Sequence, residues 1–130
     1  YLGIPFDLSQ VIFVATANNL TTISAPLLDR LEILELKGYT NNEALNIAKN
    51  HLLPKQIKEH GLGQTNLDIA ISDDVLIELR RNYTNNEPGV RLLEKRICEI
   101  LRKIAVTFVE KPFQGELSIK LENFKDYLNL

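Results

Sequence analysis

Hydrophobic residues recur in this chain with several different periods, and the changes of period predict its elements. Residues 11–15, VIFVA, are apolar without interruption, the pattern of a strand buried on both faces. Residues 31–36, LEILEL, keep a strand-like composition but carry Glu32 and Glu35, so this strand is expected to be less enclosed. Between them Ser24 is placed to cap a short helix, and Pro26 is tolerated in its first turn because the first helical N–H groups lack intrahelical partners. That helix should end near Asp29 and Arg30. Strand, helix and strand in this order suggest a βαβ crossover. Two strands cannot make a core alone, so the rest of a parallel sheet is expected to precede Tyr1, and the chain reads as a piece of a larger protein.

Residues 37–39 read as a linker, and from Thr40 the period becomes helical, marking a second domain. Thr40 and Glu43 have the spacing of a capping box. Leu45, Ala48 and Leu52 then share a face. Pro54 should kink or restart the helix, and Gly61 supplies a left-handed stop. Leu67, Ile69 and Ile71 alternate with Asp68 and Ala70 as a half-buried strand. Ser72 is placed to cap the next helix, with Asp73 and Asp74 favourable in its first turn and Val75, Leu76, Leu79 and Tyr83 as its buried face. The longest helix begins around residues 87–89, where Val90, Leu93, Ile97, Ile100, Leu101, Ile104 and Phe108 recur at steps of three and four. Lys111, Pro112 and Gly115 end it. Leu117, Ile119 and Leu121 predict a second short strand, and Phe124, Tyr127 and Leu128 a final helix. The expected fold of this part is a small helical bundle with two short strands. The pentapeptide YTNNE stands at both 39–43 and 83–87, with different flanks, and reads as two similar helix starts rather than an internal repeat.

Composition narrows the function classes. With 45% hydrophobic and 25% charged residues the chain has an ordinary globular balance. Fifteen basic residues against 17 acidic ones, a net charge of -2, argue against a surface built to neutralise phosphates, so DNA is not indicated as a partner. No apolar run reaches the roughly 20 residues that span a bilayer, and no export signal is visible, so no membrane partner is expected. The single Cys98 has no partner for an intrachain disulfide and suits a reducing compartment such as the cytoplasm. It reads as a small hydrophobe on a helix flank. His51 and His60 lack carboxylates or thiols at metal-ligand spacing and read as surface or boundary residues, so no metal site is expected.

The candidate chemistry is incomplete. There is no G-x-x-x-x-G-K-[ST] loop and no apolar strand ending in an Asp-Glu pair that would hold Mg²⁺, nor a nucleophile elbow for acyl transfer. By itself the chain is expected to catalyse nothing. Three polar residues remain of interest. Asn18 follows the all-apolar strand, at the edge where open parallel sheets place ligands, and its amide suits a phosphate oxygen or an attacking water; alternatively it is a loop residue. Arg30 suits the C-terminal end of the short helix or a pair with Asp29 or Glu32. Arg91 stands in the first turn of the longest helix, where a cation faces the positive end of the helix dipole. An anion held by helix N–H groups and the guanidinium would compensate, and so would a salt bridge to Glu87 or Glu94.

VIFVATANN, PLLDRLEILEL, GYT, IAKNHLLPKQ and PGVRLLEKRI, in this order and spacing, closely resemble the Lon ATP-dependent proteases over essentially the whole chain. The resemblance implies a mainly α fold with minor β: residues 1–38 as the C-terminal part of the large α/β AAA+ subdomain, and residues 39–130 as the small α-subdomain, or lid. It implies Asn18 as the sensor-1 residue, Arg30 as an arginine finger acting on the neighbouring subunit's site, and Arg91 as sensor 2, with Tyr39 and Val90 bordering the adenine. Proteins of this family are homohexamers that use ATP and Mg²⁺ to unfold damaged or regulatory proteins and cleave them with a Ser-Lys dyad. The phosphate loop, the Mg²⁺-binding acidic residues and the dyad have no counterpart here, so tight binding of ATP or ADP by this chain alone is not expected. A bacterial, cytoplasmic type fits better than a mitochondrial one. The alternatives are the lid of another AAA+ motor, such as a clamp loader or branch-migration helicase, or a non-enzymatic helical module that binds a peptide or partner helix.

Overall fold

Thr40 opens the first long helix as its spacing with Glu43 requires. The Glu43 N–H donates to Thr40 Oγ1 at 3.3 Å, and the Thr40 N–H donates to Glu43 Oε2 at 2.8 Å. The Thr40 N–H, and after it the Thr40 hydroxyl donating to the same Oε2 at 2.9 Å, hold the Glu43 carboxyl below its ordinary range. The computed structural model describes residues 3–128, and the chain divides between Glu35 and Leu36 into two units.

Helix α1 (Ala25–Leu28) belongs to the first unit; α2 (Asn41–Ile47) opens the second. At Pro54 the helix is neither broken nor restarted. A widened π turn (Ala48–Leu52) leads directly into α3 (Leu53–Glu59), with Pro54 in the first turn of α3. Proline has no N–H for the carbonyl four residues back and its ring crowds that carbonyl, so a wider turn removes the conflict while the helix continues. Gly61, at φ +73°, then ends it in the left-handed region. A 3₁₀ turn (Leu62–Gln64) leads to β1 (Leu67–Ile71), which buries Leu67, Ile69 and Ile71 and exposes Asp68 and Ala70.

Strand β1 pairs in parallel with β2 (Gly115–Ile119), from Leu67 opposite Gly115 to Ile71 opposite Ile119. Parallel pairing needs a crossover, here supplied by α4 (Asp73–Tyr83) and α5 (Arg91–Glu110). Ser72 stands at the N-cap of α4, but its hydroxyl makes no cap bond. Its backbone does the joining: its carbonyl accepts from Val75 and Leu76, and its N–H donates to Ile119 O at 3.0 Å, tying the helix start to β2.

Helix α5 organises the core. Leu93, Ile97, Ile100, Leu101 and Ile104 are buried along one stripe and cluster with Val75, Leu76, Leu79, Ile119 and Phe124. Each such side chain contributes about 1.5–3 kcal/mol on burial, more than a typical helix cap, so packing against α5 dominates the fold. Val90 and Phe108 flank the stripe half-buried. Tyr83 meets Phe124 edge to face with ring centroids 5.8 Å apart. The chain's last expected helix is a 3₁₀ turn (Phe124–Tyr127), and Leu121 lies beyond β2, half-exposed.

Two readings of the sequence are corrected here. Residues 11–15 and 31–36 form no strand, and the βαβ crossover between them does not form; Ile12 is 89% exposed and Val14 88%. An all-apolar strand needs neighbours on both edges and cover on both faces, and none of these is present among the described residues. Helix α1 does form between them, with Pro26 in its first turn, although Ser24 makes no side-chain cap bond. The second YTNNE is not a helix start. It ends α4, with Thr84 as C-cap and Asn85 and Asn86 at φ +49° and +56°, a conformation that Asn tolerates better than most residues. Among the described residues no helix is long and apolar enough to cross a membrane.

Candidate functional site

Several polar contacts of the second unit converge around the start of α5. Arg91 is its first residue and is exposed. The two carboxylates that the sequence offers as partners are engaged elsewhere. Glu87 turns its Oε2 onto the N–H of Leu92 at 2.7 Å, so a carboxylate caps the helix. Glu94 accepts from Lys55 Nζ and from Gln56 Nε2, each at 2.9 Å. The Lys55 hydrogen bond is the main cause that holds the Glu94 carboxyl below its ordinary value, against the opposing effect of burial. Among the described residues Arg91 has no ion pair or side-chain hydrogen bond. An open depression of about 600 Å³ beside it is lined by Glu87, Leu92, Glu94, Lys95 and Cys98.

This geometry refines the expectation of an anion met jointly by helix N–H groups and a guanidinium. The Leu92 N–H is already taken by Glu87, so an anion at this end would be met by the Arg91 side chain. Glu87 as a cap went unread in the sequence, although an acidic residue just ahead of a helix start was a usable signal. Cys98, half-buried on the flank of α5, is a small packed side chain whose thiol pKa is raised, chiefly by burial.

Arg80 also went unread. From α4 its guanidinium reaches three places at once: Nη1 to Gly89 O at 2.8 Å, Nη2 to Tyr39 O at 2.7 Å, and Nε to Asn41 Oδ1 at 3.1 Å. No periodicity marks such a residue, because the two carbonyls it binds are brought together only by the fold. Tyr39 also donates its N–H to Pro88 O at 2.8 Å. Gly38 completes the contact, since a Cβ there would stand 2.6 Å from the Cβ of Pro88. Tyr39 is therefore held by its backbone, with its side chain about half exposed, and Val90 is the N-cap residue of α5, partly buried against the core.

Asn18 and Arg30 lie in the first unit. Asn19, not Asn18, makes the local turn bond, its Oδ1 accepting from the Thr21 N–H at 2.8 Å. Arg30 follows α1, and its backbone N–H donates to Leu27 O at 3.1 Å; among the described residues it makes no pair with Asp29 or Glu32. His51 is exposed and His60 Nδ1 lies 2.8 Å from Gln56 O. No three His, Cys, Asp or Glu side chains cluster as metal ligands among the described residues.

Residues 58–117, which run from α3 into β2, match the family model of the Lon protease AAA+ ATPase lid domain. The structure of the Bacillus subtilis Lon protease SSD domain is similar to this one with a TM-score of 0.52 and 40% sequence identity, over 69% of this chain and 90% of that one. The chain belongs to the Lon protease family. The Lon protease of Clostridioides difficile strain 630 is 50% identical over 128 residues, and Lon protease 2 of Myxococcus xanthus is 56% identical over 106. These alignments cover 98% and 82% of this chain but only 16% and 12% of the relatives' length. The Lon reading of the sequence and its mainly α fold with minor β thus hold. Lids of clamp loaders and helicases, and a free-standing interaction module, are not favoured.

Proposed function

We propose that this chain is the nucleotide-sensing and relay part of the ATPase module of a Lon-type, ATP-dependent serine protease. In this reading residues 1–38 end the large subdomain and residues 39–130 form the lid. The parent is a cytoplasmic homohexamer that unfolds and degrades damaged or regulatory proteins. Asn18 orients the attacking water, Arg30 reaches the site of the neighbouring subunit, and Arg91 contacts the phosphates bound by its own. Tyr39 and Val90 border the adenine.

The observation that carries this reading is the guanidinium of Arg91, without an ion pair among the described residues, at the head of a helix whose neighbouring carboxylates, Glu87 and Glu94, are both occupied by other partners. A cation there gains nothing from the helix dipole and is suited to an anionic ligand. The chain's residues thus fit a phosphate. They do not fit Mg²⁺, for which the described residues gather no ligand cluster, so no step here passes through the metal. ATP supplies a phosphoryl group whose transfer spreads negative charge over its oxygens, and guanidinium groups such as Arg30 and Arg91 stabilise that charge from fixed positions. Because Arg91 rides on the lid, loss of its anionic partner would release the lid and turn chemistry into motion.

The test is Arg91→Ala in the full-length hexamer. ATPase turnover should fall by roughly tenfold or more, the scale on which a positioned charge acts on phosphoryl transfer, while the melting temperature stays unchanged because the side chain is exposed and has no ion pair or side-chain hydrogen bond among the described residues. Wild-type turnover in Arg91→Ala would contradict the reading.

A further inference from the structure

Two backbone segments, at Tyr39 and Gly89, that are 50 residues apart in the sequence but adjacent in space meet at Arg80. One is the linker that leads into the lid, Lys37 to Tyr39. The other is the Pro88–Gly89 turn that leads into α5 and sets the direction of Arg91. Arg80 donates to a carbonyl of each, Tyr39 O at 2.7 Å and Gly89 O at 2.8 Å, and reaches Asn41 at the start of α2. The Tyr39 N–H to Pro88 O bond and the close approach of Gly38 to Pro88 close the same junction without a side chain. Thr84, fully buried, donates to Arg80 O at 2.6 Å and so fixes the backbone from which the guanidinium extends.

We infer that Arg80 is a positioning residue for ATP hydrolysis: it fastens the linker at Tyr39 to the turn that aims Arg91, so that the lid's entry and its phosphate-reading arginine move as one body. The inference rests on the reading of Arg91 as the phosphate-sensing residue. The reason Arg is required is geometric. A guanidinium offers donors in several directions from one rigid plane and holds three acceptors at once, whereas an ammonium at the end of a flexible stem is a point donor with no fixed fork. Without Arg80 the two carbonyls lose their shared donor, only the Tyr39–Pro88 backbone bond and the Gly38 contact remain, and Arg91 samples a wider range of positions. Hydrolysis then suffers more than nucleotide binding, because orientation counts most in the transition state.

Two measurements test this. In the 130-residue chain, the Tyr39 amide bonds Pro88 O and not Arg80, but the junction around it opens more often once Arg80 no longer ties Tyr39 O to Gly89 O. Arg80→Ala should therefore speed its hydrogen exchange by roughly tenfold, with the buried amides of α5 around Ile100 and Leu101 unchanged. In the full-length hexamer, Arg80→Ala should lower kcat for ATP by about fivefold with little change in KM, Arg80→Lys should recover part of it, and the Arg80→Ala/Arg91→Ala double variant should be no slower than Arg91→Ala alone. Unchanged exchange at Tyr39 would overturn the clamp itself, whatever Arg91 does. Additive losses in the double variant would overturn the claim that Arg80 acts through Arg91. Normal turnover in Arg91→Ala would overturn the sensor reading and this inference with it, while the exchange result would still report whether the clamp exists.

Discussion

Residues 11–15 and residues 67–71 are both short apolar stretches with the composition of strands, yet only the second is paired. VIFVA is apolar at every position, and a strand of that kind needs neighbours on both edges and cover on both faces. LDIAI buries alternate residues, so it needs one packed face and can use a single neighbour. It finds both within the second unit: β2 as neighbour, and the core around α4 and α5 as cover. A strand signal in a sequence therefore states a demand for partners, and whether it is met depends on which partners the chain itself contains.

The comparison is broken most directly by shortening one side chain in each stretch. Ile69→Ala should destabilise the chain by about 2–5 kcal/mol, the range for truncating a buried aliphatic residue, as read by urea unfolding. Val14→Ala should stay within about 0.5 kcal/mol, since Val14 is exposed. Equal losses at the two positions would mean that residues 11–15 are packed in solution after all.

A second pair sharpens the point on a smaller scale. The two YTNNE copies share five residues and play opposite parts. In the first, Thr40 caps α2 from outside with its hydroxyl; in the second, Thr84 ends α4, buried, with its hydroxyl donating to Arg80 O. The flanks decide: an apolar helical pattern follows the first copy and precedes the second. Thr40→Ala should cost about 1 kcal/mol through loss of the cap, measured by the same unfolding curves. Thr40→Ser should restore most of it, because the acceptor oxygen returns.

The smallest effect concerns pH. The Glu94 carboxyl is held below its ordinary value of 4.5, first by the Lys55 hydrogen bond, and the Lys55 amine is raised above 10.5 by the same partner. The Glu94 contribution is therefore present above the unfolded value and is lost as pH falls through the lowered folded value. The Lys55 contribution is present below 10.5 and fades only as pH rises past the raised folded value. Stability should thus be flat with respect to this pair at neutral pH and decline on acidification below 4.5, and Glu94→Gln should make that acidic decline shallower in unfolding midpoints taken across pH. An unchanged acidic slope in Glu94→Gln would remove this pair from the account.

What was legible in the sequence follows the same physics. Elements whose determinants are local or lie within the second unit were readable: the Thr40–Glu43 box, the Gly61 stop, alternation in β1 and the stripe on α5. The π turn before Pro54 was only half readable, because the residue announces a conflict with the helix ladder but not how the backbone resolves it. Arg80 was invisible as a candidate site residue, since the two carbonyls it binds are brought together only by folding, whereas Glu87, an acidic residue just ahead of a helix start, left a local signal as a cap. The roles proposed for Asn18, Arg30 and Arg91 rest on family resemblance, and chemistry alone left each with an ordinary structural alternative.

The most direct test of the proposed shared site is a mixing experiment in the full-length hexamer. Arg30→Ala subunits keep their own nucleotide site but supply no finger to a neighbour, and subunits with a disabled phosphate loop do the reverse. Each alone should show little ATPase activity while Arg30→Ala still binds nucleotide, and mixed hexamers should regain part of the turnover. Normal hydrolysis by Arg30→Ala subunits alone would contradict the assignment of Arg30 and the relay built on it.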